Sequence, residues 1–191
     1  MPVSALFVRK DSIYKSLLDD CYDIERDALT FSGNNAIVAH PPCRSWSRLR
    51  HFSKHKPGEE LLALFAIDVI RRNGGVLEHP AGSALFNGYL HKNSYIDSYG
   101  GYVISVNQHW FGHRAAKKTY LYIVGCPLSV LPALPLNFNA IECTVSSSVN
   151  IKSRSKKEIT KKEREQTPPA FAEWLINVAS LCYKYKNNLI S

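Results

Sequence analysis

Long apolar runs are missing from this 191-residue chain. No stretch approaches the ~20 residues that cross a bilayer, so no membrane partner is expected. Closely spaced cysteines are missing too. Cys21, Cys43, Cys126, Cys143 and Cys182 stand far apart and are odd in number, which argues against a disulfide framework. No Cys-x-x-Cys exists for a structural zinc, and His40 with Cys43 is a close pair without companions at ligand spacing. A secretory pattern is not expected, because the apolar run at residues 1–8 is short and Arg9-Lys10 follow it rather than lead it. Reduced thiols and a cytoplasmic location are the expectation. No repeat or linker composition interrupts the chain, so residues 1–191 are expected to form one domain able to bury its own core. Acid is in short supply: 24 Lys and Arg face 16 Asp and Glu, for a net charge of +8. That balance favours polyanionic partners, nucleic acid first.

What is present is organised around residues 36–50, AIVAHPPCRSWSRLR. A short apolar run ends in His40-Pro41-Pro42-Cys43 and opens into a basic loop carrying Trp46. Two prolines fix φ and cannot continue a sheet ladder, so the backbone is stiff just before the thiol. Apolar strand, forced turn and small reactive residue is how parallel sheets present chemistry at the carboxyl ends of strands. Arg44 and Arg48 are expected to favour the Cys43 thiolate.

The flanking chain supports an α/β reading. Residues 3–8 read as a first buried strand, and Ser12 as the cap of a short helix reaching Leu18. Cys21-Tyr22-Asp23-Ile24 reads as a second short strand. A helix is predicted from Pro57-Gly58 to Asn73-Gly74, with Glu59 and Glu60 at its positive end and Leu61, Leu64, Phe65, Val69 and Ile70 as its apolar face. Gly75-Val76-Leu77 follows as a strand stopped by Glu78-His79-Pro80. Strand, helix, strand at this spacing predicts a right-handed parallel crossover, which places Cys43 and Glu78 at neighbouring strand ends facing one cleft. Residues 102–107 and 120–124 are expected to pair as an antiparallel edge hairpin with a basic, aromatic tip around Trp110 and His113. Residues 126–150 show no period and read as loop. Residues 152–164 carry seven basic and two acidic side chains, solvated or facing phosphate. Thr167-Pro168-Pro169 starts a last helix with Phe171, Trp174, Leu175, Val178 and Cys182 inward.

The order Pro41-Pro42-Cys43, then Glu78-His79-Pro80, then Phe111-Gly112 with basic residues leading into Tyr120-Leu121-Tyr122-Ile123-Val124-Gly125, resembles the DNA cytosine-5 methyltransferase family in shortened form. The resemblance implies a single Rossmann-like methyltransferase-type domain, mostly parallel sheet with an antiparallel edge hairpin. It implies Cys43 as nucleophile on carbon 6 of a flipped-out cytosine and Glu78 as the carboxylate holding the base. Pro42, Arg44, Arg48, His79, Arg114, Lys117 and Lys118 would line the substrate, with DNA the first partner. Phe7 and Asp23 would face S-adenosylmethionine. The chain departs from the family at Leu6-Phe7-Val8-Arg9-Lys10-Asp11, where a glycine-rich cofactor loop is replaced by residues with no glycine, and at His79, which stands for asparagine. Three other readings remain: a silent binding module for nucleic acid or nucleotide, an enzyme of altered pyrimidine chemistry, and a zinc site at His40 and Cys43. The shortened form is similar to accessory proteins of phages and mobile elements, and a protein partner or a homo-oligomer is among the expectations for this chain.

Overall fold

The computed structural model describes residues 2–47, 50, 56–90, 96–137, 139–145 and 157–188. Three short apolar runs become parallel strands: β1 (Val3–Leu6), β2 (Ala36–Ala39) and β3 (Gly75–Pro80). The first two are buried along their whole length, as expected of parallel strands covered on both faces. Two longer strands, β4 (Tyr102–Asn107) and β5 (Lys118–Val124), pair antiparallel as predicted. The sheet order is β1-β2-β3-β5-β4, so β5 inserts beside β3 and β4 forms the edge. The architecture is a mixed α/β sheet, mostly parallel, with β5 reversed.

Pairing with β5 also corrects a boundary. The sequence places Glu78, His79 and Pro80 after a strand, whereas all three lie in β3, opposite Leu121, Tyr120 and Thr119. The antiparallel neighbour supplies main-chain partners that carry the ladder three residues further than the apolar run.

Helices cover the two faces. On one, α5 (Pro169–Asn188) lays Phe171, Leu175, Val178 and Cys182 onto Val3, Ala36, Val38 and Val76. On the other, α2 (Glu59–Asn73) packs against Ile37, Ala39 and Leu77. The buried stripe of α2 is Ala63, Ala66, Ile67, Val69 and Ile70, while Leu61 is exposed. The stripe is turned from the predicted one because the two alanines let the helix axis approach the sheet closely. Short pieces complete the frame: α1 (Tyr14–Leu17), α3 (Leu85–Gly88), the ribbon of β6 (Cys143–Thr144) and β7 (Lys157–Glu158), and α4 (Lys161–Glu165). Thr160 and Glu163 close a capping box on α4. No helix among the described residues is long and apolar enough to cross a membrane.

After β1 the chain moves outward, and Cys21 bridges Ala5 in parallel on the flank of β1 away from β2. It then returns to β2 on the opposite flank. The carboxyl ends of β1 and β2 therefore form a topological switch point, where open α/β sheets hold their ligands.

Entry into β3 is tight. Gly75 has φ 132°, and a Cβ there would sit 2.1 Å from the Ile37 carbonyl oxygen. Gly75→Ala must push β3 off β2, and we expect a loss of about 3 kcal/mol in urea unfolding, from strain and overpacking together. A midpoint unchanged from wild type would show that this approach is not tight.

Candidate functional site

Pleat parity assigns the side chains at the carboxyl ends of β2 and β3 to faces. Ala36 and Val38 point to the α5 side, so His40, which continues the pairing through its N–H to the Leu6 carbonyl (3.1 Å), points there too. Val76 points the same way and takes Glu78 with it. His40 Nδ1 lies 2.9 Å from Glu78 Oε2. Gln108, in the short helical turn after β4, donates from Nε2 to Glu78 Oε1 (3.1 Å) and to Thr119 Oγ1 (3.0 Å). Gln108 is held there by its own N–H on the Lys117 carbonyl, 3.1 Å away.

Burial alone would raise the Glu78 carboxyl. The His40 hydrogen bond and the charges of Lys117, His40 and His79 outweigh it, and the net result is a pKa of about 2. Glu78 is a fixed carboxylate at neutral pH. Cys43 answers to the same charge. Its thiol is pushed up by burial first and by Glu78 second, with a backbone N–H, Lys117 and Arg44 acting in the other direction. The expected thiolate is thus corrected to a thiol. Arg44 makes a bidentate pair with Glu59 at the start of α2, at 3.1 and 2.7 Å, which directs much of its charge away from sulfur. Arg48 lies outside the described residues. Cys43 feels the charges of Glu78 and Lys117. Pro41 and Pro42 form the turn that delivers Cys43.

The other expected site residues disperse. His79, the neighbour of Glu78, points to the opposite face and is 1% exposed, with Phe86 at 6.4 Å. It is not in the cleft with Glu78. Burial lowers its pKa to about 4, against the opposing pull of Glu78 and the Pro42 and Pro41 carbonyls, and neither ring nitrogen closes a hydrogen bond. Arg114 pairs with Glu163 of α4 at 2.5 Å and donates to the Cys143 sulfur at 3.5 Å. Lys118 is exposed at the start of β5. The basic, aromatic tip is folded inward rather than presented: Phe111 packs on Phe171 (4.8 Å) and Trp174 (5.8 Å), and His113 is buried against the Ala115 main chain. Among the described residues no three His, Cys, Asp or Glu side chains gather as metal ligands would.

The residues at the end of β1 do not fit S-adenosylmethionine. Asp23 Oδ1 accepts the N–H groups of Glu25 (2.8 Å) and Arg26 (3.1 Å), and Oδ2 takes Lys15 (2.5 Å), so its carboxylate closes its own loop. Phe7 adopts φ 61° and turns its ring edge-on to Phe65 on the α2 face. Arg9, two residues on, reaches Asp11 and Glu165 and ties this loop to α4. Side chains stand where glycine would leave room for a cofactor.

Sequence reasoning missed His40 as the partner of Glu78, and it missed Gln108, Thr119 and Tyr14 altogether. Parity from Ala36 through Val38 to His40 was a usable signal. Nothing in the sequence links Gln108 to Glu78, because the link requires β5 to reverse between β3 and β4. Tyr14 sits on a four-residue helix with its ring 5.0 Å from that of His40. Comparison of the chain with protein-family models, curated proteins and solved structures finds no match.

The two buried groups give separate acid limbs. His79 falls to about 4 from its ordinary 6.5, so the unfolded chain binds more protons between those values and stability declines as pH falls through that window. Glu78 falls to about 2 from 4.5, so its contribution is complete above 4.5 and is lost on further acidification toward 2. Each amounts to on the order of 3 kcal/mol. Urea titrations from pH 7 to 3 should show His79→Gln flattening chiefly the upper limb and Glu78→Gln chiefly the lower limb, each also shifting the other because the two charges act on one another. Identical pH profiles for both variants and wild type would refute this assignment.

Proposed function

We propose that this chain binds a nucleic-acid base in the cleft formed by Cys43 and Glu78, on a Rossmann-like, methyltransferase-type sheet, with DNA as the principal polymer. The observation that carries the reading is the meeting of Cys43, Glu78, Gln108 and Lys117 at the switch point of the sheet. Glu78 accepts one hydrogen bond on each oxygen. A carboxylate oxygen has two lone pairs, so capacity remains for an amino or ring N–H edge of a base. Lys117 sets a positive charge beside that edge, where a phosphate follows in a polynucleotide. A stacked base in a duplex cannot enter such a cleft, so the target is flipped out or single-stranded.

Cytosine-5 methylation is the second reading. It is favoured by the order of the Pro-Pro-Cys and Glu-His-Pro segments and by the shared environment of Cys43 and Glu78. The Phe7–Asp23 end of the sheet counts against it, since it has the wrong side chains for the methyl donor. Base recognition needs only the half of the site that the geometry supports. An accessory role in a phage or mobile element, with a partner chain or a second copy, belongs to this reading on the strength of the resemblance alone.

Calorimetry separates these readings. Titration with a short mixed-sequence duplex, the matching single strand and free nucleotides should give micromolar binding to at least one polymer. That binding should weaken steeply between about 50 and 200 mM salt. Lys117→Ala should weaken binding and reduce the salt slope by about one charge. Micromolar binding of S-adenosylmethionine would put methyl transfer first, and failure of every nucleic-acid ligand would sink both readings.

A further inference from the structure

Two of the five cysteines meet away from the Cys43 cleft. Cys126, in the bend after β5, and Cys182, on α5, bring their sulfurs to 3.3 Å across 56 residues of sequence. Both are free, so the contact is a thiol hydrogen bond. A disulfide holds its sulfurs about 2.05 Å apart, so the pair is short of a bond by about 1.3 Å.

Glycine makes this approach possible. Gly74 and Gly125 lie against Cys182 with φ 84° and 109°. A Cβ on Gly74 would stand 3.5 Å from the Cys182 Cβ, and one on Gly125 would stand 3.2 Å from it. At Gly125 the added atom would also come within 3.1 Å of the Cys182 carbonyl oxygen. A side chain there would push α5 outward and part the sulfurs.

The two thiols are unequal. The hydrogen bond from Cys182 holds the Cys126 thiol below its ordinary value, against burial and with help from Tyr102. That same bond and burial push the Cys182 thiol up. Cys126 is also nearer to solvent, 6% exposed against 0%, with the exposed Leu128 two residues on. An oxidant therefore meets Cys126 first, and Cys182 is placed to resolve what forms there.

We propose that Cys126 and Cys182 are a modification site: a reversible disulfide, formed by a hydroperoxide and removed by a thiol reductant, that fastens α5 to the end of β5. In the first step the Cys126 sulfur bonds to the outer peroxide oxygen and the O–O bond breaks. The remaining oxygen leaves as water or alcohol with the thiol proton, and Cys126 becomes a sulfenic acid. In the second step the Cys182 sulfur bonds to the Cys126 sulfur and the S–O bond breaks. The departing hydroxide takes the Cys182 proton and leaves as water. Two electrons pass from the thiols to the peroxide. Transient disulfides of this kind fit a compartment that otherwise keeps thiols reduced.

The test treats the folded wild-type protein with a small excess of hydrogen peroxide and blocks the remaining thiols with N-ethylmaleimide. Peptides cut without reduction are then read by tandem mass spectrometry. We expect a Cys126–Cys182 linked peptide, with Cys21, Cys43 and Cys143 alkylated, and its loss on adding dithiothreitol. The oxidised protein should unfold at a higher urea midpoint than the reduced one, because the bond closes a loop across 56 residues. Cys182→Ser should stop at the sulfenic acid, trapped on Cys126 by dimedone. If that variant does not fold, the wild-type link and midpoint decide the matter by themselves. Oxidation to sulfinic acid without a link, or links spread equally over all five cysteines, would overturn the proposal. A link with no rise in the midpoint would overturn the fastening of α5. Neither Cys43 nor nucleic acid enters these measurements, so their outcome is independent of base binding.

Discussion

A carboxylate under the α5 face is the constraint on which this molecule turns. Moving an isolated carboxylate from water to such a place costs many kcal/mol, and the protein answers with two hydrogen bonds and a nearby positive charge. His40 comes from the end of β2, Gln108 from the turn after β4, and the charge of Lys117 from the approach to β5. The end of β2 and the turn after β4 are thereby tied to one side chain of β3. Removing a donor leaves a buried charge short of partners, which is why the network resists piecemeal change and binds the fold to the site.

The two faces of the sheet divide the labour. On the α5 side lie Glu78, His40 and Tyr14, a polar cluster in an otherwise apolar layer. On the α2 side lies His79, neutral and dry, beneath the carbonyls of Pro41 and Pro42. One strand thus supports the Pro-Pro-Cys turn from below with one residue and serves the cleft with its neighbour. The end of β1 has another use. There Lys15, Asp23, Arg9 and Glu165 close on one another and join the first loops to α4, so the surface is a structural seam.

Much of the architecture was legible because it rests on period and punctuation. The α2 and α5 segments, the β2–α2–β3 crossover and the β4–β5 pairing follow from apolar spacing, proline starts and glycine stops. The topology puts Cys43 after β2 and Glu78 in the neighbouring β3, and the Glu78 charge acts on the Cys43 thiol. What stayed hidden was long-range. The insertion of β5 next to β3 determines that Glu78 and His79 are strand residues, and no local pattern encodes it. Without it Gln108 has no route to Glu78. Arg44 and Arg114 each pair with an acid on a neighbouring helix, Glu59 and Glu163, which no local pattern announces.

The reversal of β5 has a consequence for how such a chain can vary. An antiparallel strand offers its beginning, not its end, to the side where its parallel neighbours finish, so Gln108 and Lys117 reach the cleft through a connection of fixed length. Thr119 opposite Pro80 sets that length, and one added residue between Gln108 and Thr119 would turn the β5 side chains onto the wrong faces. Beyond Val124 the strand leaves at the far end of the sheet, where the chain can grow or shrink without disturbing Glu78. A change of length just after β5 therefore leaves the Gln108–Thr119 connection as it is, whereas one inside that connection does not.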